Sequence, residues 1–201
     1  MSSSKPIRIA ILADIHFGGP SPVPGRRAEI ADILLQRAVN RLNRLLRPDV
    51  TLVLGDLVDN CACADTPARL ARLRTLLDEL ASPCLVIPGN HDGAGDDFYR
   101  VFTRPRPVEE IGGARFVAFP DDPAESGHNA RRRTAELARL RAAREGFQGP
   151  VIALQHVCLF PPRFQAAPFN YVNADEVVAA MDAAGVLLSV SGHYHRGAQN
   201  C

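Results

Sequence analysis

Short apolar runs alternate along the chain with segments whose apolar residues recur at helical spacing. Ile7 to Ala13 reads as a strand, and the segment after it places Ile30, Ile33, Leu34, Ala38, Leu42 and Leu45 on one helical face, closed by Pro48. Val50 to Leu54 forms a second strand, a helix with Leu70, Leu73, Leu77 and Leu80 on one face follows, and Cys84 to Ile87 forms a third strand. This is a β-α-β-α-β opening, the pattern of a parallel sheet.

The middle of the chain is less regular. Gly93 to Gly95 reads as a loop, Asp96 to Thr103 as a short helix, Phe116 to Phe119 as a strand and Arg131 to Glu145 as a helix with Leu137 and Leu140 inward. Val151 to Leu154 and Val186 to Val190 then read as buried strands around a helix from Ala174 to Ala184. No repeat or interdomain linker is visible, so residues 1–201 are expected to form a single domain, a size that buries a substantial core without disulfides.

Composition changes this picture little. Hydrophobic residues make up 46% and charged residues 22%, the balance of a globular chain. The formal net charge of +1 gives no global field toward nucleic acid or anionic lipid, and the Arg131, Arg132, Arg133 run reads as a solvated helix start. Lys5 is the only lysine; the dispersed arginines read as compositional bias. No stretch approaches the roughly 18 apolar residues of a membrane span, and Ile7 to Ala13 is too short for a secretory segment, so a cytoplasmic protein is expected. The five cysteines are odd in number and lack zinc-finger spacing, which favours reduced thiols. Cys61 and Cys63 stand just beyond a candidate metal loop.

The chemistry lies at the strand ends. Asp14 and His16 follow the first strand, Gly55 and Asp56 the second, Asn90 and His91 the third, His156 the fourth of the firmest five, and His193 and His195 the fifth. In open α/β sheets the ligand site lies beyond the carboxyl ends of the strands, so these residues are expected to converge on one edge. Asp14, Asp56, Asn90, His16, His156, His193 and His195 make a mixed oxygen and nitrogen donor set suited to manganese, iron or zinc. Seven ligands exceed one tetrahedral ion. With one carboxylate bridging they fill two sites of four, and two ions about 3.5–4 Å apart generate a hydroxide at neutral pH and clamp both oxygens of an in-line phosphoryl displacement.

Asp14-Ile15-His16, Gly55-Asp56-Leu57-Val58-Asp59, Gly89-Asn90-His91-Asp92, His156 and Gly192-His193-Tyr194-His195 resemble, in order, the five motifs of the calcineurin-like metallophosphoesterases. The resemblance implies a four-layer α/β/β/α sandwich and a two-metal hydrolase of phosphoesters, phosphodiesterase or phosphatase. It implies Asp14, His16, Asp56 and His195 around one ion, and Asp56, Asn90, His156 and His193 around the other, with Asp56 as the bridge. It makes His91 a general acid or transition-state stabiliser oriented by Asp59, consistent with the need to protonate a basic leaving oxygen. Asp92 fits the family's acidic position and equally a turn or capping role. Five of the six histidines fall inside these motifs; His128 reads as a surface loop residue.

Two departures matter. Asn60 follows Asp59 where the family's protein phosphatases carry an arginine that grips phosphate, which counts against that branch and leaves the resemblance nearer to bacterial phosphodiesterases. Only six residues follow His195, so the second sheet is expected to be incomplete, with an unpaired edge or exposed apolar face. The expected partner is a small phosphoester, nucleotides included, with Phe160, Pro161, Pro162, Phe164, Phe169, Asn170 and Tyr171 either roofing the pocket or packing locally. The rival readings are a binding scaffold on the same fold with weak or no catalysis, and a metallopeptidase or amidase, whose usual helical His-Glu-x-x-His signature is missing.

Overall fold

The computed structural model describes residues 6–93, 95–119, 128–160 and 169–195. Its first sheet is β1 (Ile9–Leu12), β2 (Val50–Leu54) and β3 (Cys84–Ile87), all parallel in the order β1-β2-β3. The second holds β4 (Val108–Ile111), β5 (Ala114–Ala118), β6 (Val151–Leu154) and β7 (Val186–Val190) in that order, antiparallel between β4 and β5 and parallel thereafter. The helices are α1 (Ala31–Arg41), α2 (Thr66–Leu77), the single turn α3 (Gly95–Phe98), α4 (Thr134–Arg144) and α5 (Ala174–Ala183).

Strand alternation sorts the apolar residues into three layers of core. Val50, Leu52 and Leu54 of β2 meet Ala114, Phe116 and Ala118 of β5 and Ile152 and Leu154 of β6, so the two sheets pack face to face. Val53 and Val86 point the other way, against Leu35 and Val39 of α1 and Leu70, Leu73, Leu76 and Leu77 of α2. Val117, Val151 and Ala153 cover the outer face of the second sheet with Leu137, Leu140 and Ala143 of α4 and Val177 and Met181 of α5. Helices on each outer face and two sheets within give the expected four-layer sandwich. Each fully buried Leu, Val or Phe in these layers contributes about 1.5–3 kcal/mol.

The expected face of the first helix is corrected. Ala31, Leu35 and Val39 of α1 and Leu42 beyond it are buried, whereas Ile33, Leu34 and Leu45 are 54%, 47% and 70% exposed. This helix is apolar on two sides, and packing against α2 selects one of them. The helix also closes through a π turn at Leu42–Leu46, with Arg47 left-handed, which rotates Leu45 outward. Strand β4 was not expected. Its Val108-Glu109-Glu110-Ile111 alternation is short and acidic, but Gly112 and Gly113, both at positive φ, turn it back onto β5 as a hairpin. Among the described residues β7 is the outer strand of its sheet, and Leu187 and Leu188 stand 73% and 46% exposed there.

Candidate metal centre

The motif loops leave the carboxyl ends of β1, β2 and β3 in one sheet and of β6 and β7 in the other, so the site straddles the two sheets and does not lie on the edge of a single one. Main-chain bonds lace the loops together. Asp14 N donates to Gly55 O at 3.0 Å, His16 N to Asp56 O at 2.8 Å, and Gly192 N to His156 O at 3.1 Å. Asp14, His16, Asp56 and His193 all adopt left-handed φ, between 49° and 67°, as non-glycine residues. Such conformations cost on the order of 1–3 kcal/mol each and persist only where the surroundings over-determine them. Gly89 permits the closest approach: a side chain there would run into Asp56 Oδ1 and the His156 ring.

Asp56 lies at the centre, 2% exposed. Its Oδ1 is 3.3 Å from His156 Nε2 and accepts from His91 N at 2.9 Å; its Oδ2 is 3.6 Å from His16 Nε2. One oxygen thus faces each half of the site. In the first half, His16 Nε2 is 3.2 Å from His195 Nε2, which is 3.3 Å from Asp14 Oδ1. In the second, His156 Nε2 is 3.0 Å from Asn90 Oδ1 and 3.2 Å from His193 Nδ1. All seven sequence-derived candidates therefore fall into one contiguous cluster.

The nitrogens turned away from the cluster fix the tautomers of the second half. His156 Nδ1 donates to Leu54 O at 2.7 Å, and His193 Nε2 donates to His128 O at 2.9 Å. A carbonyl only accepts, so His156 Nε2 and His193 Nδ1 both carry lone pairs. These two atoms face each other at 3.2 Å, with Asn90 Oδ1 and the Asp56 carboxylate beside them. Acceptors turned on acceptors in a buried place repel unless a cation lies among them, and the carbonyls behind the imidazoles are the partners that orient histidine ligands. The donor set fits transition-metal ions.

The electrostatics agree. Burial, with Arg26 and neighbouring imidazoles, brings His16 down to about 4 against the pull of Asp56; burial, then His156, brings His193 to about 4 as well. Both are neutral near pH 7, the form that ligates. Burial opposes the Asp56 carboxylate, but the surrounding donors, the His91 amide among them, outweigh it and hold Asp56 below the usual range. Burial raises Asp14, aided by Asp56 and opposed by His156 and the His193 amide.

The expected role of Asp59 is corrected. His91 Nδ1 is bonded to the main-chain oxygen of Asp59 at 2.7 Å, while the Asp59 carboxylate reaches Arg26 Nη1 at 2.6 Å and lies 3.5 Å from His16 Nδ1. The side chain therefore stands behind His16, not behind His91. The His91 ring lies edge-on to His16 at 4.8 Å and within ligand distance of Asp56 and His16. Asp92 is a brace: its Oδ1 accepts from Leu57 N and Val58 N, and its Oδ2 from Gly89 N, tying two ligand loops together. Burial pushes its carboxyl up to about 7, against the Gly89 and Val58 amides.

Sequence reasoning missed His128, whose ring is exposed but whose carbonyl holds His193; a main-chain contact leaves no trace in residue identity. Phe169 stacks on His128 at 5.3 Å and meets His193 at 5.5 Å, so the aromatic segment does border the second half. Phe160 and Tyr171 are buried, and Pro161, Pro162 and Phe164 lie outside the described residues. A cavity of about 570 Å³ opens behind the Asp92 loop beside Cys61, Cys63 and Phe98, away from the ligands.

The sequence pattern of the calcineurin-like phosphoesterases matches residues 7–197, the span that contains every ligand above. The chain belongs to the calcineurin-like phosphoesterase family. Its likeness to a fission-yeast relative is local: 32% identity over 99 residues of the uncharacterized protein C1020.05 of Schizosaccharomyces pombe, 46% of this chain but only 19% of that protein. The crystal structure of TT1561 of Thermus thermophilus has the same fold at 18% identity, with a TM-score of 0.60 over 92% of this chain and 81% of that one. A further crystal structure matches at a TM-score of 0.62 and 12% identity, over 94% and 84% of the two chains. Like its family, the chain gathers His and Asp groups able to hold metal ions, here Asp14, His16 and His195 on one side and Asp56, His156 and His193 on the other.

Proposed function

We propose that this chain hydrolyses small phosphoesters with two transition-metal ions, manganese, iron or zinc, held by Asp14, His16, Asp56 and His195 on one side and by Asp56, Asn90, His156 and His193 on the other. The observation that carries the reading is the convergence of lone-pair atoms at His156 Nε2, His193 Nδ1, Asn90 Oδ1 and Asp56 Oδ1, an arrangement that a cation stabilises. When bound, such ions supply a hydroxide for in-line attack near neutral pH and neutralise charge on the phosphoryl oxygens.

The protein's own residues do the rest. Asp56 presents one carboxylate oxygen to each half, and its own charge is maintained by the His91 amide. The Leu54 and His128 carbonyls hold two imidazoles in the ligating tautomer, so little reorganisation is needed when the site fills. His91 keeps Nδ1–H on the Asp59 carbonyl, so Nε2 delivers a proton to the leaving oxygen only from the doubly protonated imidazolium. Phe169 and His128 offer flat rings at the border of the second half, a surface suited to a nucleotide base.

The test is elemental analysis after reconstitution with manganese, iron or zinc, with hydrolysis of p-nitrophenyl phosphate and bis-p-nitrophenyl phosphate by the same samples. The reading requires two ions and metal-dependent cleavage of at least one ester. Two ions without cleavage would make the chain a binding scaffold on the same fold, and fewer than two would remove the binuclear reading.

A further inference from the structure

The loop between β1 and α1 brings a guanidinium to within one carboxylate of His16. Arg26 Nη1 is 2.6 Å from Asp59 Oδ1, and the two side chains are only 17% and 16% exposed. The same oxygen is 3.5 Å from His16 Nδ1, so one carboxylate separates Arg26 from an imidazole whose far nitrogen faces Asp56 and His195.

A guanidinium has five donors in a fixed fork, and among the described residues Asp59 is the only side chain Arg26 engages. Neighbouring groups are committed elsewhere. Asn60 turns its Oδ1 to Ala62 N at 2.9 Å and its carbonyl to Thr66 Oγ1. Arg69 is held by Asp65 and lies over the Phe17 ring. A largely shielded ion pair adds little stability by itself, because desolvation offsets the attraction. The pair does, however, fix the direction of a fork that retains unused donors.

On the basis of the phosphoesterase reading above, we infer that Arg26, aimed by Asp59, grips a terminal oxygen of the substrate's phosphoryl group. The arginine fork matches two oxygens of a phosphate in a way a point charge does not. Charge on the non-bridging oxygens in the transition state gives the contact a role in turnover as well as in binding. Asp59 is then a positioning residue that acts through Arg26.

The test uses the manganese-reconstituted full chain and inorganic phosphate as probe, with binding followed by calorimetry beside metal content, unfolding midpoint and turnover of p-nitrophenyl phosphate. Arg26→Gln is expected to keep both ions and to weaken phosphate binding about 10- to 100-fold, the value of a lost charge-assisted contact. Its kcat/KM should fall in parallel, and Arg26→Lys should recover part of both. Asp59→Asn should weaken phosphate by a smaller factor. If Arg26→Gln binds phosphate and turns over as the parent does, or loses only its unfolding midpoint, the pair is a loop latch and the assignment is wrong while the phosphoesterase reading stands. If the parent protein takes up no metal or cleaves no ester, that reading fails and the role of Arg26 fails with it.

Discussion

The two halves of the metal centre are built differently. In the half formed by Asn90, His156 and His193, both imidazoles are buried and each has its outer nitrogen tied to a carbonyl. In the half formed by Asp14, His16 and His195, the outer nitrogen of His16 has no hydrogen-bond partner among the described residues, the Asp59 carboxylate being 3.5 Å away, and the His195 side chain is 45% exposed. One half is pre-organised, and the other is left to be completed by what binds. Ligand identity alone does not reveal this, since each half draws on Asp56 and three further residues. The partners behind the ligands set it.

The sharpest way to break the comparison is Asp56→Asn. Because the two Asp56 oxygens face different halves, the amide should weaken both sites together and abolish the distinction, with metal content falling below one ion per chain under conditions that fill the parent. A variant that loses only one ion would show that Asp56 does not bridge.

His91→Ala comes next. It should keep its metals and lose about 10²- to 10⁴-fold of its rate on esters with basic alkoxide leaving groups, and much less on p-nitrophenyl esters, whose leaving group departs as a stable anion. Loss of metal, or an equal loss on both substrate types, would make His91 a ligand or a uniform electrostatic stabiliser. Because the contact behind His91 is the Asp59 carbonyl, Asp59→Asn should leave this leaving-group dependence in place.

Asp92→Asn should destabilise the fold without removing a ligand. The amide turns a donor toward one of the three N–H groups that Asp92 now accepts, a cost of about 1–3 kcal/mol readable in urea unfolding. An unchanged midpoint would mean that the brace is replaceable by water.

The smallest effect concerns pH. Protons compete with metal for imidazoles, and because burial lowers His16 and His193 to about 4, their competition sets in below the ordinary histidine range as pH falls. The closed half should therefore still hold its ion near pH 5.5, as judged by metal retained after dialysis. Release there in step with an ordinary imidazole would contradict this.

The contrast between the halves also marks where the sequence stops being informative. Strands β2, β3 and β6 were legible because parallel strands buried on both faces read as continuous apolar runs, and β7 reads the same way although Leu187 and Leu188 are exposed. The seven candidate ligands were legible because each follows an apolar run. The buried face of α1 was not, since Leu34 and Leu35 are equally apolar and only packing against α2 decides between them. Neither was β4, whose two glutamates conceal its alternation. The carbonyls of Leu54, Asp59 and His128 were invisible in principle, because every residue carries the same group. The same blindness assigned the Asp59 carboxylate to His91, when its main chain serves His91 and its side chain serves Arg26.

The most direct test of the account is a titration of manganese into the metal-free chain, followed by calorimetry in the parent, in His156→Gln and in His195→Gln. The account predicts two ions in the parent, the first bound more tightly than the second. His195→Gln should retain the tight step and lose the weak one, and His156→Gln should lose the tight step. A single ion in the parent, or two equal steps that the two variants weaken alike, would contradict it.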